Sequence, residues 1–132
     1  MSHLRRKSHL IIALLLAGGD ALAGADAVRG QTLYRARCAA CHSIDYNGVG
    51  PAHRGVLGRK AGAVPDYAYS DALRHSDVVW TAAALDKWLA DPEQFIPGQK
   101  MGFSVPSPKE RADLIAYLKQ AAGPGASPNA SP

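Results

Sequence analysis

The segment Cys38-Ala39-Ala40-Cys41-His42 contains the only two cysteines of this 132-residue chain and a histidine directly after the second. Two thiols at positions i and i+3 lie on the same side of a helical turn, where both can form thioethers with the two vinyl groups of one haem. The ring of His42 then falls within reach of the iron. The motif therefore predicts one covalently attached haem c, and a fold built around a planar apolar macrocycle.

Three other interpretations of the cysteines use fewer of these residues. A thioredoxin-like dithiol follows a strand of a parallel sheet, but no apolar alternation in this sequence is long enough to indicate a strand. A structural zinc site needs four ligands, and His53 and His75 are the only other histidines beyond residue 25. A disulfide between Cys38 and Cys41 stays open, although it would close a very small loop.

Both ends of the chain differ in composition from its middle. The first nine residues include three Lys or Arg, an apolar run follows from Leu10 to Ala17, and small residues continue to Ala25. This layout is typical of a secretory signal peptide over residues 1–25. The apolar run is about half the length needed to cross a bilayer, so a permanent transmembrane anchor is the weaker interpretation. We expect cleavage after Ala23 or Ala25 and no stable membrane insertion afterwards. Residues 123–132 are predicted to form a disordered tail, which leaves one domain over residues 26–122.

The charge distribution argues against a nucleic-acid partner. The whole chain has a formal net charge of +4, and residues 1–25 hold three of its 15 Lys and Arg and one of its 11 Asp and Glu. The remainder therefore carries only +2, with its basic residues scattered singly. A nucleic-acid interface normally has clustered basic residues, so this class of function is excluded.

Helical patterns occur in three segments of the domain. One begins at Asp26 and extends towards Cys38, a second begins at Thr81 and ends before Pro92, and a third extends from Ser107-Pro108 to Gly123. Residues 43–79 are rich in glycine, proline and aspartate and are predicted to be loops with one helical turn. The predicted fold class is all-α, with a few helices and long loops wrapped around one covalently bound haem.

Met101 is the candidate for the second axial ligand of the iron. It is the only methionine beyond residue 1, and it follows a turn that Pro97 and Gly98 are expected to form. With His42 on one side and Met101 on the other, the iron would be closed to other ligands. A thioether sulfur favours ferrous iron, so the reduction potential should be raised.

From about residue 26 to residue 121 the chain resembles the class I cytochromes c, of the mitochondrial cytochrome c and bacterial cytochrome c2 type. The segments that carry the resemblance are Cys38-Ala39-Ala40-Cys41-His42, Gly50-Pro51, Gly55-Val56-Leu57-Gly58-Arg59-Lys60, Tyr67-Ala68-Tyr69-Ser70, Trp80, Pro97-Gly98-Gln99-Lys100-Met101 and Ala112-Asp113-Leu114-Ile115-Ala116-Tyr117-Leu118. The resemblance implies that the first and last helices cross, with Gly30 and Tyr34 against Leu114 and Tyr117.

The resemblance also implies roles for residues around the haem. The carbonyl of Pro51 would accept the ring N–H of His42, a bond that fixes the tautomer and raises the basicity of the ligand. Arg59, Tyr69 and Trp80 would donate to the haem propionates, since a buried carboxylate needs such donors. The alternative is that the two aromatic residues belong only to the core.

Several positions depart from the mitochondrial pattern. Gln99 replaces a threonine expected to bond a propionate, and is kept as a candidate for that role. Trp88 replaces a tyrosine near the ligand sulfur and Leu73 replaces an asparagine near a buried water, which should make the methionine side drier. Glu93 and Gln94 occupy two positions where mitochondrial relatives have lysines at the exposed haem edge.

These features predict a soluble periplasmic one-electron carrier, not an enzyme, and we expect a monomer. Its redox partners, a donor complex or dehydrogenase and a terminal oxidase or reductase of a respiratory chain, would dock weakly at the haem edge near Arg37 and Lys100. Two alternatives stay open. One is a haem peroxidase or gas-binding sensor in which Met101 leaves the iron, and the other is a redox subunit of a larger dehydrogenase. His53 and His75 are interpreted as surface or hydrogen-bonded structural residues, not ligands.

Overall fold

The fold is a set of five helices joined by long loops. The computed structural model describes residues 24–121, so the predicted signal peptide and tail lie almost entirely outside the described residues. The helices are α1 (Ala27–Arg37), α2 (Asp71–Arg74), α3 (Ala82–Ala90), α4 (Pro92–Phe95) and α5 (Pro108–Gln120). Over this range no strand forms, and one isolated antiparallel bridge joins Lys60 to Val79. The predicted all-α class is confirmed, and no helix between residues 24 and 121 is long and apolar enough to cross a membrane.

Side-chain caps begin the helices where the sequence predicts them. The carboxylate of Asp26 accepts from the backbone N–H groups of Val28 and Arg29 at the start of α1. The hydroxyls of Thr81 and Ser107 cap α3 and α5 in the same way. These bonds satisfy N–H groups that have no partner within the helix.

One helix was missed by the sequence analysis. Pro92 was interpreted only as the stop of the preceding helix, but it is also the first residue of α4. Asp91 caps α4 by accepting from Gln94 N–H at 3.0 Å. Proline is well suited to the first position of a helix because its missing N–H would have no partner there.

The first and last helices cross at Gly30. A Cβ placed on Gly30 would overlap the backbone carbonyl of Asp113 and lie 2.9 Å from the Cβ of Tyr117. The rings of Tyr34 and Tyr117 lie 5.2 Å apart beside this point, and Leu114 is buried in the same interface. The predicted crossing of α1 and α5 is confirmed, and it needs glycine because the two backbones touch.

A buried carboxylate ties α1 to α5. Asp113 is only 2% exposed, and it accepts from the backbone N–H of Asp26 at 2.7 Å and from the Arg29 guanidinium at 3.0 Å. Lys109 lies 3.5 Å from the same carboxylate. The hydrogen bond from Arg29 holds the pKa of Asp113 below its usual value. Asp113 is therefore charged at neutral pH and satisfied by groups from both helices.

The long segment between α1 and α3 is held by backbone pairing. Next to the isolated bridge, Trp80 N–H donates to the carbonyl of Arg59 at 2.9 Å and Gly58 N–H donates to the carbonyl of Trp80 at 2.9 Å. Ala61 N–H donates to Val78 at 2.8 Å in the same ladder. This short pairing sets Arg59 beside Trp80, and both face the interior described next.

Candidate haem site

A cavity of about 570 Å³ lies at the centre of the fold. Cys38, Cys41, His42 and Met101, which the sequence predicts as haem attachment and axial residues, all line it. Most of the remaining lining is apolar, with side chains from the loops and from α3 and α5. The structure therefore brings together four residues separated by up to 63 positions in the sequence.

The two cysteines lie on a turn that continues α1 beyond its last residue. Cys38 N–H donates to Tyr34, and the N–H groups of Cys41 and His42 both donate to the Cys38 carbonyl, at 3.1 and 2.8 Å. Both thiols are free; Cys38 is half-buried and Cys41 is exposed. Burial raises the pKa of the Cys38 thiol to about 11. This turn brings both cysteines and His42 into the lining of one cavity, as thioether attachment requires.

The imidazole of His42 is fixed at one edge. Its Nδ1–H donates to the carbonyl of Pro51 at 2.8 Å, which is the hydrogen bond that the family resemblance implies. Nε2 is then the nitrogen left to bind a metal. Burial lowers the pKa of His42, with the bond to Pro51 acting in the opposite direction. Gly50 passes so close to the ring that a Cβ there would collide with it.

The loop that carries Met101 is held by the carboxylate of Glu93. One oxygen of Glu93 accepts from Gly98 N–H at 3.0 Å and the other accepts from the Gln99 amide at 3.2 Å. Gly98 has a φ of +87°, in the left-handed region that glycine adopts without strain. The predicted turn before Met101 is present, but sequence reasoning assigned Glu93 only to the protein surface and missed this contact.

A second anchor holds the far end of the same loop. The guanidinium of Arg111 on α5 donates to the carbonyls of Val105 and Pro106 at 3.0 and 2.9 Å, and to Asp86 on α3 at 2.7 Å. Val105 is completely buried. The loop from α4 to α5 is therefore attached at both ends, and Met101 lies between the two attachments. No local signal in the sequence marks Arg111 for this role.

Three predicted propionate donors line the cavity. Arg59 donates to the carbonyls of Arg54 and Ala52, but among residues 24–121 it makes no ion pair with a carboxylate. Burial lowers the pKa of Arg59, because the cation loses part of its hydration there. The Tyr69 hydroxyl accepts from Val64 N–H at 3.1 Å and keeps its own proton to donate.

The indole of Trp80 belongs to the same cavity lining, and Trp80 is only 7% exposed. A cavity with a half-buried guanidinium, a phenol and an indole N–H offers donors to a carboxylate, and its free thiols and imidazole suit a tetrapyrrole with iron. The residues therefore fit one haem c. Within residues 24–121, no cluster of three or more His, Cys, Asp or Glu could hold a bare metal ion.

Gln99 is not brought to this cavity. It lines a smaller depression of about 270 Å³ next to Met101. Its amide nitrogen donates to Glu93, and its carbonyl oxygen is buried with no hydrogen-bond partner among residues 24–121. A carboxylate needs a donor, and in this conformation Gln99 turns its donor towards Glu93 instead.

The two residues near Met101 that differ from the mitochondrial pattern both contribute apolar surface. Trp88 and Leu73 line the cavity together with Met101. The ring of Trp88 lies 5.3 Å from that of Trp80 at an angle of 60°, a tilted aromatic contact. These contacts agree with the expectation of a dry methionine side.

The surface at the cavity mouth is weakly basic. Arg37 forms a bidentate ion pair with Glu110 at 2.6 and 3.0 Å, so its charge is largely offset locally. Lys100 is exposed. The apolar side chains Val49 and Phe103 also line the cavity and are 76% and 41% exposed.

Sequence reasoning also missed the position of His53. Its ring is stacked on that of His42, with centroids 4.0 Å apart and an angle of 20° between the planes. Burial lowers the pKa of His53 well below its usual range, with the charges of His42 and Arg59 acting the same way. His75 is exposed, and its Nδ1–H donates to the carbonyl of Asp71 at 2.9 Å.

Comparisons with known proteins agree with this geometry. The family model for cytochrome c matches residues 27–122. A cytochrome c of Gibberella zeae is 42% identical over 102 residues, covering 74% of this chain and 96% of that protein. A cytochrome c2 of Rhodomicrobium vannielii is 39% identical over 116 residues, covering 85% and 92%. The solved structure of cytochrome cH from Methylobacterium extorquens is similar with a TM-score of 0.69 and 48% identity, covering 72% of this chain and 98% of that one.

Proposed function

This chain belongs to the cytochrome c family and is an electron carrier with covalently bound haem c, and we propose that it acts as a soluble one-electron shuttle in the bacterial periplasm. Its electrons would come from a donor complex or a dehydrogenase, and its acceptor would be a terminal oxidase or reductase. His42 and Met101 are the proposed axial ligands, and Cys38 and Cys41 the proposed points of attachment. The chain makes and breaks no bond in a substrate.

The convergence of these four side chains on one apolar cavity carries the proposal. A structural disulfide or a reactive dithiol would give no reason for His42 to line the same space as Met101. Bound haem supplies a ferric–ferrous couple that takes up and releases one electron. The apolar lining excludes water and so raises the energetic cost of the extra positive charge in the ferric state.

Different residues around the cavity shift the balance between ferric and ferrous iron in opposite directions. The hydrogen bond from His42 to Pro51 makes the imidazole a stronger electron donor, which favours ferric iron. The thioether of Met101 favours ferrous iron. Arg59, Tyr69 and Trp80 are the proposed donors to the propionates. Gln99 is a weaker candidate for that role, because its amide would have to leave Glu93.

The proposed location rests on the leader-like residues 1–25 and on the similarity to a bacterial cytochrome c2. Export would be followed by cleavage after Ala23 or Ala25. The mass of the haem-loaded protein from a periplasmic fraction tests this, because it gives the first residue directly.

The proposed docking surface is the mouth of the cavity. Lys100 and the partly offset charge of Arg37 supply a weak positive field, while Val49 and Phe103 supply exposed apolar contact. A partner with a mildly acidic or apolar face fits this surface. Association should therefore depend only weakly on ionic strength.

The visible spectrum of the reduced protein, recorded before and after addition of carbon monoxide, tests the axial ligands. We expect no change for the wild type, because Met101 closes the sixth position of the iron. Met101→Ala should bind carbon monoxide at once. The matched control is Met101→His, which exchanges the thioether for another strong ligand and should leave the iron closed with a changed spectrum.

A prompt spectral shift of the wild type would contradict the shuttle proposal. It would favour the peroxidase or gas-sensor alternative, in which Met101 leaves the iron. A closed iron in a protein that purifies in a stable complex would instead indicate a dedicated subunit of a dehydrogenase.

A further inference from the structure

His42 is restrained on two sides by different residues. At one edge its Nδ1–H donates to Pro51, and across one face lies the ring of His53, nearly parallel and 4.0 Å away between centroids. A single hydrogen bond holds one edge of a planar ring but still lets the ring tilt about that bond. A second ring stacked on its face removes much of that freedom.

His53 is itself held on both its backbone and its side chain. Its backbone N–H donates to the carbonyl of Ser43 at 2.9 Å, directly after His42 in the chain. Its Nδ1 lies 3.0 Å from the hydroxyl of Tyr34, in hydrogen-bond contact. The next residues continue the pairing, since Arg54 N–H donates to Ile44 at 2.8 Å. The segments around His42 and His53 are therefore joined by several bonds that fix the distance between the rings.

Tyr34 connects this pair of rings to the crossing of α1 and α5. It is 4% exposed, lies on α1, and contacts Tyr117 of α5 as well as the edge of the His53 ring at 5.7 Å. A partly buried imidazole costs free energy unless its polar atoms find partners, and the Tyr34 hydroxyl provides one for His53. An apolar side chain could fill the same volume, but it would have no directional bond to hold its orientation.

We propose that His53 is a positioning residue for the axial ligand, and that Tyr34 holds it in place. Held by Tyr34, the His53 ring keeps the His42 imidazole in the orientation in which its Nδ1–H reaches Pro51. The proposal rests on the proposed function, because it takes His42 as a ligand of the iron. It assigns His53 no contact with a redox partner and no bond to the metal.

The test compares His53→Leu and Tyr34→Phe with His75→Leu, which replaces the exposed histidine at the C-terminal end of α2. In the ferrous protein labelled with 15N-histidine, NMR measures the solvent exchange rate of the His42 Nδ1–H. We expect exchange about threefold faster or more in both test variants, the effect of weakening one hydrogen bond of ordinary strength. His75→Leu should match the wild type.

The reduction potential gives a second measurement. A weaker bond to Pro51 makes the imidazole of His42 a poorer donor to ferric iron, so the potential should rise in both test variants. In the double variant, Tyr34→Phe should add little to the effect of His53→Leu, because Tyr34 acts through His53. Tyr34→Phe keeps both rings and their packing, so the test stands even if His53→Leu fails to fold.

An exchange rate and a potential equal to those of His75→Leu in both test variants would overturn the proposal, and His53 would then be a packing residue only. Failure of the proposed function is seen separately. If the wild-type ferric protein shows no paramagnetically shifted signals from His42, then His42 is not an iron ligand, whatever the variants do.

Discussion

The contact between α1 and α5 predicts a large effect for a single added methyl group. In Gly30→Ala the new Cβ would overlap the Asp113 carbonyl oxygen and lie 2.6 Å from its carbon, where an ordinary contact is at least 3.4 Å. Neither atom can turn away, because both belong to the backbone of α5. The helices would therefore have to separate by about 1 Å, and a gap of that size removes up to about half of the dispersion energy of each contact.

The expected cost follows from two opposing effects. Overpacking of a well-filled interface usually costs about 1–3 kcal/mol, and a clash between backbones belongs at the upper end. Alanine is a better helix former than glycine and returns about 1 kcal/mol. We expect Gly30→Ala to lower the free energy of unfolding by about 2 kcal/mol, which corresponds to roughly 10 °C in Tm for a domain of this size.

Denaturant unfolding of the haem-loaded protein, followed by far-UV circular dichroism, measures this change. Thr32→Ala is the matched control, since Thr32 lies on the exposed face of the same helix and should change stability by no more than about 0.5 kcal/mol. A Gly30→Ala protein as stable as the wild type would refute the argument that the backbone contact requires glycine.

Three further variants have expected outcomes. Gly50→Ala should press on the His42 ring and change the visible spectrum of the ferric protein, whereas the same spectrum as the wild type would show that the loop yields. Asp113→Asn should make the free energy of unfolding depend less steeply on pH in acid. The folded-state pKa of Asp113 lies below its usual 3.8, so its charged form stabilises the folded protein above that pH. This contribution is lost in the wild type as the pH falls through the lowered pKa. Acid titration by circular dichroism checks this, and an unchanged slope between the two proteins would contradict it. Arg111→Met should loosen the loop that carries Met101, so that carbon monoxide binds to the ferrous protein measurably faster. If the variant excludes carbon monoxide as well as the wild type does, the Arg111 hydrogen bonds are not needed to hold the loop.

The parts of the site that follow local chemical rules could be predicted from the sequence. Covalent attachment needs two thiols and an imidazole at fixed spacing, so the sequence alone identifies Cys38, Cys41 and His42 as one candidate haem-attachment motif. The hydrogen bond from His42 to Pro51 followed from the family resemblance and is present at 2.8 Å. The helix caps at Asp26, Thr81 and Ser107 likewise depend on neighbours within three residues.

Contacts between distant residues could not be predicted in this way. His53 stacks on His42 only because two loop segments pair, and Arg111 reaches the Val105 carbonyl only because α5 packs next to the loop. No periodicity records either contact. Gln99 is a case in which the motif suggested a role that the structure does not show. Its position predicted a propionate donor, but its amide donates to Glu93.

The crossing of α1 and α5 also determines where this chain tolerates change in length. The hydrogen bond from Asp26 to Asp113 joins residues 87 positions apart, so it closes the chain between them into one long loop, called the ring below. Closing such a ring costs about 4 kcal/mol of chain entropy, but this entropy depends only on the logarithm of the length. Ten residues inserted into the loop after His42 would add roughly 0.1 kcal/mol to it. Surface loops within the ring can therefore lengthen or shorten with little effect on closure, while one methyl group at its point of closure has an effect many times larger.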